Sequence, residues 1–122
     1  MYPPIYQLAR NDAAVTALLG SPNPRFYPFG QASQKTTRPY AVWQTIYGNP
    51  NNTLSCVPGE DLWGCQVDAY AKDADDARAV AKALRDCIEA SHNQVVSYNG
   101  EFWEANTGLW RVSFTAEFWT YR

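Results

Sequence analysis

The sequence predicts an α+β domain, a mainly antiparallel sheet of about five strands with two helices packed on one face. Three observations lead there: residues 74–90 repeat apolar side chains at helical spacing, residues 108–121 repeat them at the strand period of two, and turn residues separate several further β-rich runs. The chain of 122 residues suits one domain, 1–122, large enough to bury a core without disulfide staples. Five Trp, eight Tyr, five Phe and a hydrophobic content of 46% exclude intrinsic disorder, while eight Pro and seven Gly imply many turns between short elements.

At the start, Pro3 and Pro4 suit a first helical turn, and Ile5, Leu8, Ala9, Val15, Leu18 and Leu19 form an apolar stripe that ends at Gly20. This is one helix, or two short ones meeting near Asn11-Asp12, with Gly20 as the cap. Ser21 to Pro39 is interrupted by Pro and Gly and reads as extended loop, in which Arg25-Phe26-Tyr27 allows a short strand before Pro28. Tyr40 to Tyr47 is rich in β-formers and stops at Gly48-Asn49-Pro50; the next strand is Leu62 to Ala71. In Ala74–Ala90, Ala77, Val80, Ala81, Leu84 and Ile88 share one helix face, Asp73 is placed to accept at the N-cap, and Asp75 and Asp76 suit the positive end of the helix dipole. The wet face carries Arg78, Lys82, Arg85, Asp86 and Glu89, with Lys82–Asp86 and Arg85–Glu89 spaced for weak pairs. Gln94–Tyr98 and Glu101–Glu104 flank Asn99-Gly100, a strong tight-hairpin signal, and Asn106-Thr107-Gly108 feeds the last strand, so the final third reads as a three-stranded meander.

The last strand carries the most information. Trp110, Val112, Phe114, Ala116 and Phe118 make one uninterrupted apolar face, the expected core side. Its other face, Leu109, Arg111, Ser113, Thr115, Glu117, Trp119 and Tyr121, is polar in the middle and apolar at both ends, where a solitary domain would carry charge. The segment Gly48–Asp61 is longer than a hairpin needs, and Leu54 and Val57 within it favour an arm that reaches a neighbouring subunit. The candidate contact residues are therefore Asn49, Asn51, Leu54, Val57 and Glu60 on the arm, with Leu109, Trp119 and Tyr121 at the strand ends.

Other function classes find little support. A formal net charge of −2 without basic clusters supplies no footprint for nucleic acid or a membrane surface. No run approaches the length of a membrane span and the start lacks a signal-peptide pattern, so a cytoplasmic site of synthesis is expected. Cys56, Cys65 and Cys87 show no C-x-x-C spacing for zinc, even with His92 added, and are read as small buried hydrophobes. His92 lies in a polar connection, no nucleophile, phosphate or dinucleotide motif occurs, and Glu101 and Glu104 fall on opposite faces of a strand. No catalytic residue, cofactor or metal is assigned. A carbohydrate- or peptide-binding module stacking its ligand on Trp103, Trp110, Trp119 and Tyr121 is the alternative outside the assembly class.

The order of Tyr2-Pro-Pro-Ile-Tyr-Gln-Leu8, Arg25-Phe-Tyr-Pro-Phe-Gly30, Pro39-Tyr-Ala-Val-Trp-Gln44, Gln66-Val-Asp-Ala-Tyr-Ala71, the Ala-rich helix 74–90 and the closing Phe114–Tyr121 resembles the tail-completion proteins of long-tailed bacteriophages. These are also called tail terminator or tail-to-head joining proteins. The pattern is departed from at Ser55-Cys56, Gly64-Cys65 and Phe102-Trp103. The resemblance implies a homo-oligomeric ring, usually a hexamer, that binds the head-proximal end of the tail tube protein, stops tube growth and meets the head or neck connector protein. It implies a virion location after assembly in the host cytoplasm, and a lumen through which DNA passes without specific binding. A head-side neck protein is the alternative within the same class.

Overall fold

A computed structural model describes residues 2–33 and 35–122. Two short helices, α1 (Ile5–Arg10) and α2 (Ala13–Leu19), precede a three-residue strand β1 (Phe26–Pro28) and the long strands β2 (Tyr40–Pro50) and β3 (Glu60–Ala71). Helix α3 (Ala74–Ala90) follows, and β4 (Gln94–Glu104) and β5 (Leu109–Tyr121) complete one five-stranded sheet in the order β1-β2-β3-β5-β4. Only β1–β2 is parallel; the other three pairings are antiparallel. The α+β class is as the sequence predicts, with three helices where two were expected.

The first apolar stripe is split because Asp12 opens a second helix, its carboxylate accepting the Val15 N–H at 3.1 Å. Asp73 takes the extended N-cap conformation before α3 but makes no side-chain cap bond; its backbone carbonyl accepts the Ala77 N–H at 3.1 Å instead. Of the wet-face pairs, Lys82–Asp86 forms at 3.3 Å and Arg85–Glu89 at 3.8 Å.

The core is one cluster in which Ile5, Val15, Leu19, Val80, Leu84 and Ile88 of the helices meet Phe26, Ala41, Cys65, Val67, Phe114, Ala116 and Phe118 of the strands. In register, Cys65 opposes Ala116, Val67 opposes Phe114 and Trp63 opposes Phe118, so these strand residues share a face. Each large side chain buried this way contributes roughly 1.5–3 kcal/mol. Cys87 fills a gap in α3 and donates to the Leu8 carbonyl at 3.2 Å, tying α3 to α1; burial pushes its thiol up to about 11. Cys56, expected to be buried, is exposed.

Two strand expectations change. Asn99-Gly100 is no turn: β4 runs through it as one strand with irregularities at Val95/Ser97 and Tyr98/Gly100. Gly100, at φ +110°, absorbs a bulge, and β5 is long enough to pair with both halves of β4; folding back at Asn99 would have left its first residues without a neighbour. The apolar face of β5 is also not core throughout. Phe114, Ala116 and Phe118 are buried, Val112 is partly so, and Trp110 packs beside Trp103 with ring centroids 5.4 Å apart. The reason is length: α3, with 17 residues, rises roughly 25 Å, whereas the 13 residues of β5 span roughly 40 Å.

Beyond the core, β2 and β3 are held by two reciprocal glycine–aromatic pairs. Tyr47 opposes Gly64 and Gly48 opposes Trp63, each ring lying over the facing glycine. A Cβ at Gly64 would come 2.1 Å from the Tyr47 ring. Alanine is the better strand residue by backbone preference alone, so Gly64→Ala tests the packing. Urea unfolding should show a loss of about 1–3 kcal/mol, most of it recovered on adding Tyr47→Ala. A neutral Gly64→Ala would mean that the ring does not sit there.

Candidate assembly surface

The ends of β2 and β3 that project past the core form the arm. Asn49 opposes Leu62, Pro50 opposes Asp61, and the Asn51 N–H reaches the Glu60 carbonyl at 3.0 Å, so the ladder runs to the base of a tip spanning 51–59. Within the tip the Thr53 hydroxyl accepts the Cys56 N–H at 3.2 Å and lies 3.0 Å from the Cys56 carbonyl, a local turn that spreads the flanking side chains. Leu54 and Val57 are 109% and 81% exposed, so neither is covered by its own chain.

The last residues of β5 lie beside this arm. Tyr121 opposes Glu60 and Trp119 opposes Leu62, both rings exposed on the face away from the core. Asn49, Asn51, Leu54, Val57, Glu60, Trp119 and Tyr121 are thereby gathered at one end of the sheet. Leu109 is not among them. It starts β5, roughly 40 Å away along the strand, and is only 3% exposed. Arg38, Tyr40, Asn106 and Thr107 lie around that end with it.

A polar clamp holds the base of the arm. Arg122 donates to both Asp61 oxygens, at 2.8 and 3.1 Å, and its backbone N–H reaches the Gly59 carbonyl at 2.9 Å. Beside it the Trp63 indole N–H donates to the Thr120 hydroxyl at 2.9 Å, and Tyr2 lies against Trp63 with centroids 4.8 Å apart. Tyr47 donates to Glu117 at 2.5 Å, and this bond pushes its phenol up to about 12. None of these clamp residues stands out in the sequence as a contact candidate, because only the strand register brings Asp61 to Arg122 and Trp63 to Thr120.

Chemistry finds no centre among the described residues. His92 is exposed in the α3–β4 connection, and no group of three His, Cys, Asp or Glu side chains is placed to hold a metal ion. Glu101 is bound by Arg78 at 2.9 Å on one face while Glu104 sits near Arg111 on the other. The aromatic residues that would make a ligand platform are also divided: Trp103 and Trp110 pair at one end of the sheet, whereas Trp119 and Tyr121 lie at the other on the opposite face.

A small sheet domain that exposes apolar side chains at strand ends, along its edges and on a projecting hairpin has the surface of an assembly subunit. Residues 3–121 match the family model described as tail completion protein gp17, and the chain belongs to that family, which makes it a structural protein of the phage tail. A comparison with curated proteins finds no match. Among solved structures, a chain from the virion of a native gene transfer agent particle is similar in fold, with a TM-score of 0.64, 16% identity, and coverage of 93% of this chain and 88% of that one.

The clamp gives the arm a pH dependence. The bonds from Arg122 hold the Asp61 carboxyl below its ordinary value of 3.8, so the stabilisation is complete above that value and is lost as pH falls through the lowered one. Arg122→Ala should therefore be less stable than the parent near neutrality, and the gap should close in acid, as followed by thermal unfolding across pH. A gap that stays constant down to low pH would assign the loss to packing.

Proposed function

We propose that this protein forms a ring on the head-proximal end of the finished tail tube, ends tube polymerisation and offers the surface to which the head or neck connector protein joins. The observation that carries this reading is the arm, which presents two apolar side chains with no cover from their own chain at a point that the strand ladder and the Arg122–Asp61 clamp hold in place. Large apolar side chains left exposed together at one surface mark a protein contact, and the exposed Trp119 and Tyr121 beside the arm are of the residue types that carry contact energy. Asn49, Asn51, Leu54, Val57, Glu60, Trp119 and Tyr121 make the subunit and tube contacts. Assembly takes place in the host cytoplasm and the product stays in the virion. The formal charge of −2 suits a lumen that passes DNA without gripping it.

Leu54→Asp combined with Val57→Asp should leave folding intact, since neither side chain packs on its own domain. It should weaken incorporation into tails by roughly thirtyfold or more, the effect of losing one contact centre, measured as protein bound per purified tail. Removal of the gene should give overlong tails or tails that do not join heads, seen by electron microscopy. Tails of normal length already joined to heads would reject the assignment.

A further inference from the structure

The sheet has two free edges. On one side β4 is the last strand along its whole length, Gln94 to Glu104. On the other, β1 covers only Ala41–Trp43 of β2, so Gln44 to Pro50 has no strand beside it and is exposed. An edge strand offers a row of unpaired N–H and C=O groups, and folded proteins normally blunt such rows with lysine, proline, inward charge or a β-bulge. Lysine, proline and inward charge are scarce here. Residues 44–49 carry no charge at all, Pro50 comes only at the end, and β4 contains no basic residue; of its two carboxylates Glu101 is taken by Arg78.

Each edge carries instead the same local feature. The β2–β3 register skips Ile46 between Thr45 and Tyr47, and the β4–β5 register skips Val96 between Val95 and Ser97. Both extra residues are β-branched and similarly exposed, Ile46 at 43% and Val96 at 45%, and a partly exposed tyrosine follows each, Tyr47 next to the first and Tyr98 two residues after the second. A bulge increases the local twist and so rejects a flat, unselected partner while leaving the edge open to one of matching twist.

We propose that these two edges form the seam between neighbouring copies of this chain, the β2 edge at Gln44–Pro50 adding to the β4 edge of the next copy. The two edges are different surfaces of one molecule, so the contact is heterologous, the kind that makes a ring when its rotation closes. Main-chain hydrogen bonds give the seam its affinity and the paired aliphatic and tyrosine side chains give it register. The inference rests on the ring described under Proposed function and adds which surfaces join its members.

The test uses cysteine pairs in assembled tails, in a Cys56→Ser background because Cys56 is the exposed thiol. Ile46→Cys with Val96→Cys, and a register scan of Gln44→Cys or Tyr47→Cys against Ser97→Cys or Tyr98→Cys, bracket the distances of about 4.4–6.8 Å between Cα atoms that a disulfide accepts. Oxidation should give a ladder of covalent multimers from at least one pair and none from the single variants. Amide exchange at residues 44–49 and 94–104 should slow by about tenfold or more in tails relative to the isolated protein. Dimers from Val96→Cys alone would overturn the seam in favour of an edge that pairs with itself. Rings visible on tails, with no ladder from any pair and no change in exchange, would overturn the seam and leave the ring standing. Tails without a terminal ring would overturn both.

Discussion

The structure depends on a mismatch of length. The helices cover only the middle of the sheet, because a helix advances less than half as far per residue as a strand. Burial of Phe114, Ala116, Phe118, Val67 and Leu84 therefore fixes a central block, and the ends of β2, β3 and β5 overhang it. An overhang cannot draw on a hydrophobic layer of its own. It is held by devices that work in two dimensions: a ring over a facing glycine, a bidentate Arg–Asp pair, an indole hydrogen bond across adjacent strands. The indole hydrogen bond adds on the order of 1 kcal/mol, and devices of this kind keep a hairpin in shape without building a second core. The apolar side chains on the overhang are left for another molecule.

The face away from the core obeys the same restriction. Asp68 is buried there and is bonded by Gln66 at 3.1 Å and Arg111 at 3.3 Å, while Arg111 in turn lies over the Phe102 ring at 4.4 Å. Asn99 donates to Thr115 at 2.9 Å, and Tyr40 stacks on Tyr70 at 5.0 Å. Burial and the Asp68 carboxylate hold the Tyr70 phenol up at about 12, so it stays protonated near neutrality. Side chains on neighbouring strands satisfy one another, which removes the cost of burying a carboxylate and leaves a surface with little unspent hydrogen-bonding capacity. What the sheet has left to offer lies at its ends and its edges.

The sequence carried the fold class because periodicity reports which residues share a face, and it carried the arm because Gly48–Asp61 is longer than a hairpin needs, although the strands run further than read, β2 to Pro50 and β3 from Glu60. It did not carry register. Trp110 through Phe118 reads as one apolar face whether or not a helix reaches both ends, and Leu109 reads as a strand end whether or not a loop folds over it. Asn99-Gly100 misled for a definite reason: a positive φ at glycine serves a tight turn and a bulge equally, and only the length of the partner strand decides. Gly64, which departs from the family pattern, is explained once Tyr47 is seen to lie over it. The exposure of Leu54 and Val57 was legible because Leu and Val in a turn-rich segment have no strand face or helix stripe to join. That of Ile46 and Val96 was not, since nothing in a strand's composition shows that it lies at an edge.

Ends and edges point in different directions, and that separates the two kinds of contact an assembly ring needs. Hydrogen bonding between strands runs perpendicular to them, so pairing through β2 and β4 extends the sheet sideways. The ends of β2, β3 and β5, with Leu54, Val57, Trp119 and Tyr121, then point across that direction, along the strands. On the proposed seam the edges meet neighbouring copies and the arm is left free to reach a layer above or below. Sideways repetition in a closed ring ends on itself, while repetition along the strands would stack layer on layer unless the two ends of the sheet differ. They do differ: one end carries the projecting arm with Leu54 and Val57, and the other carries no such projection, buries Leu109 and pairs the exposed Trp103 with Trp110. On the proposed reading, a subunit with unlike ends meets the finished tube by one of them and offers no copy of that surface to a further layer.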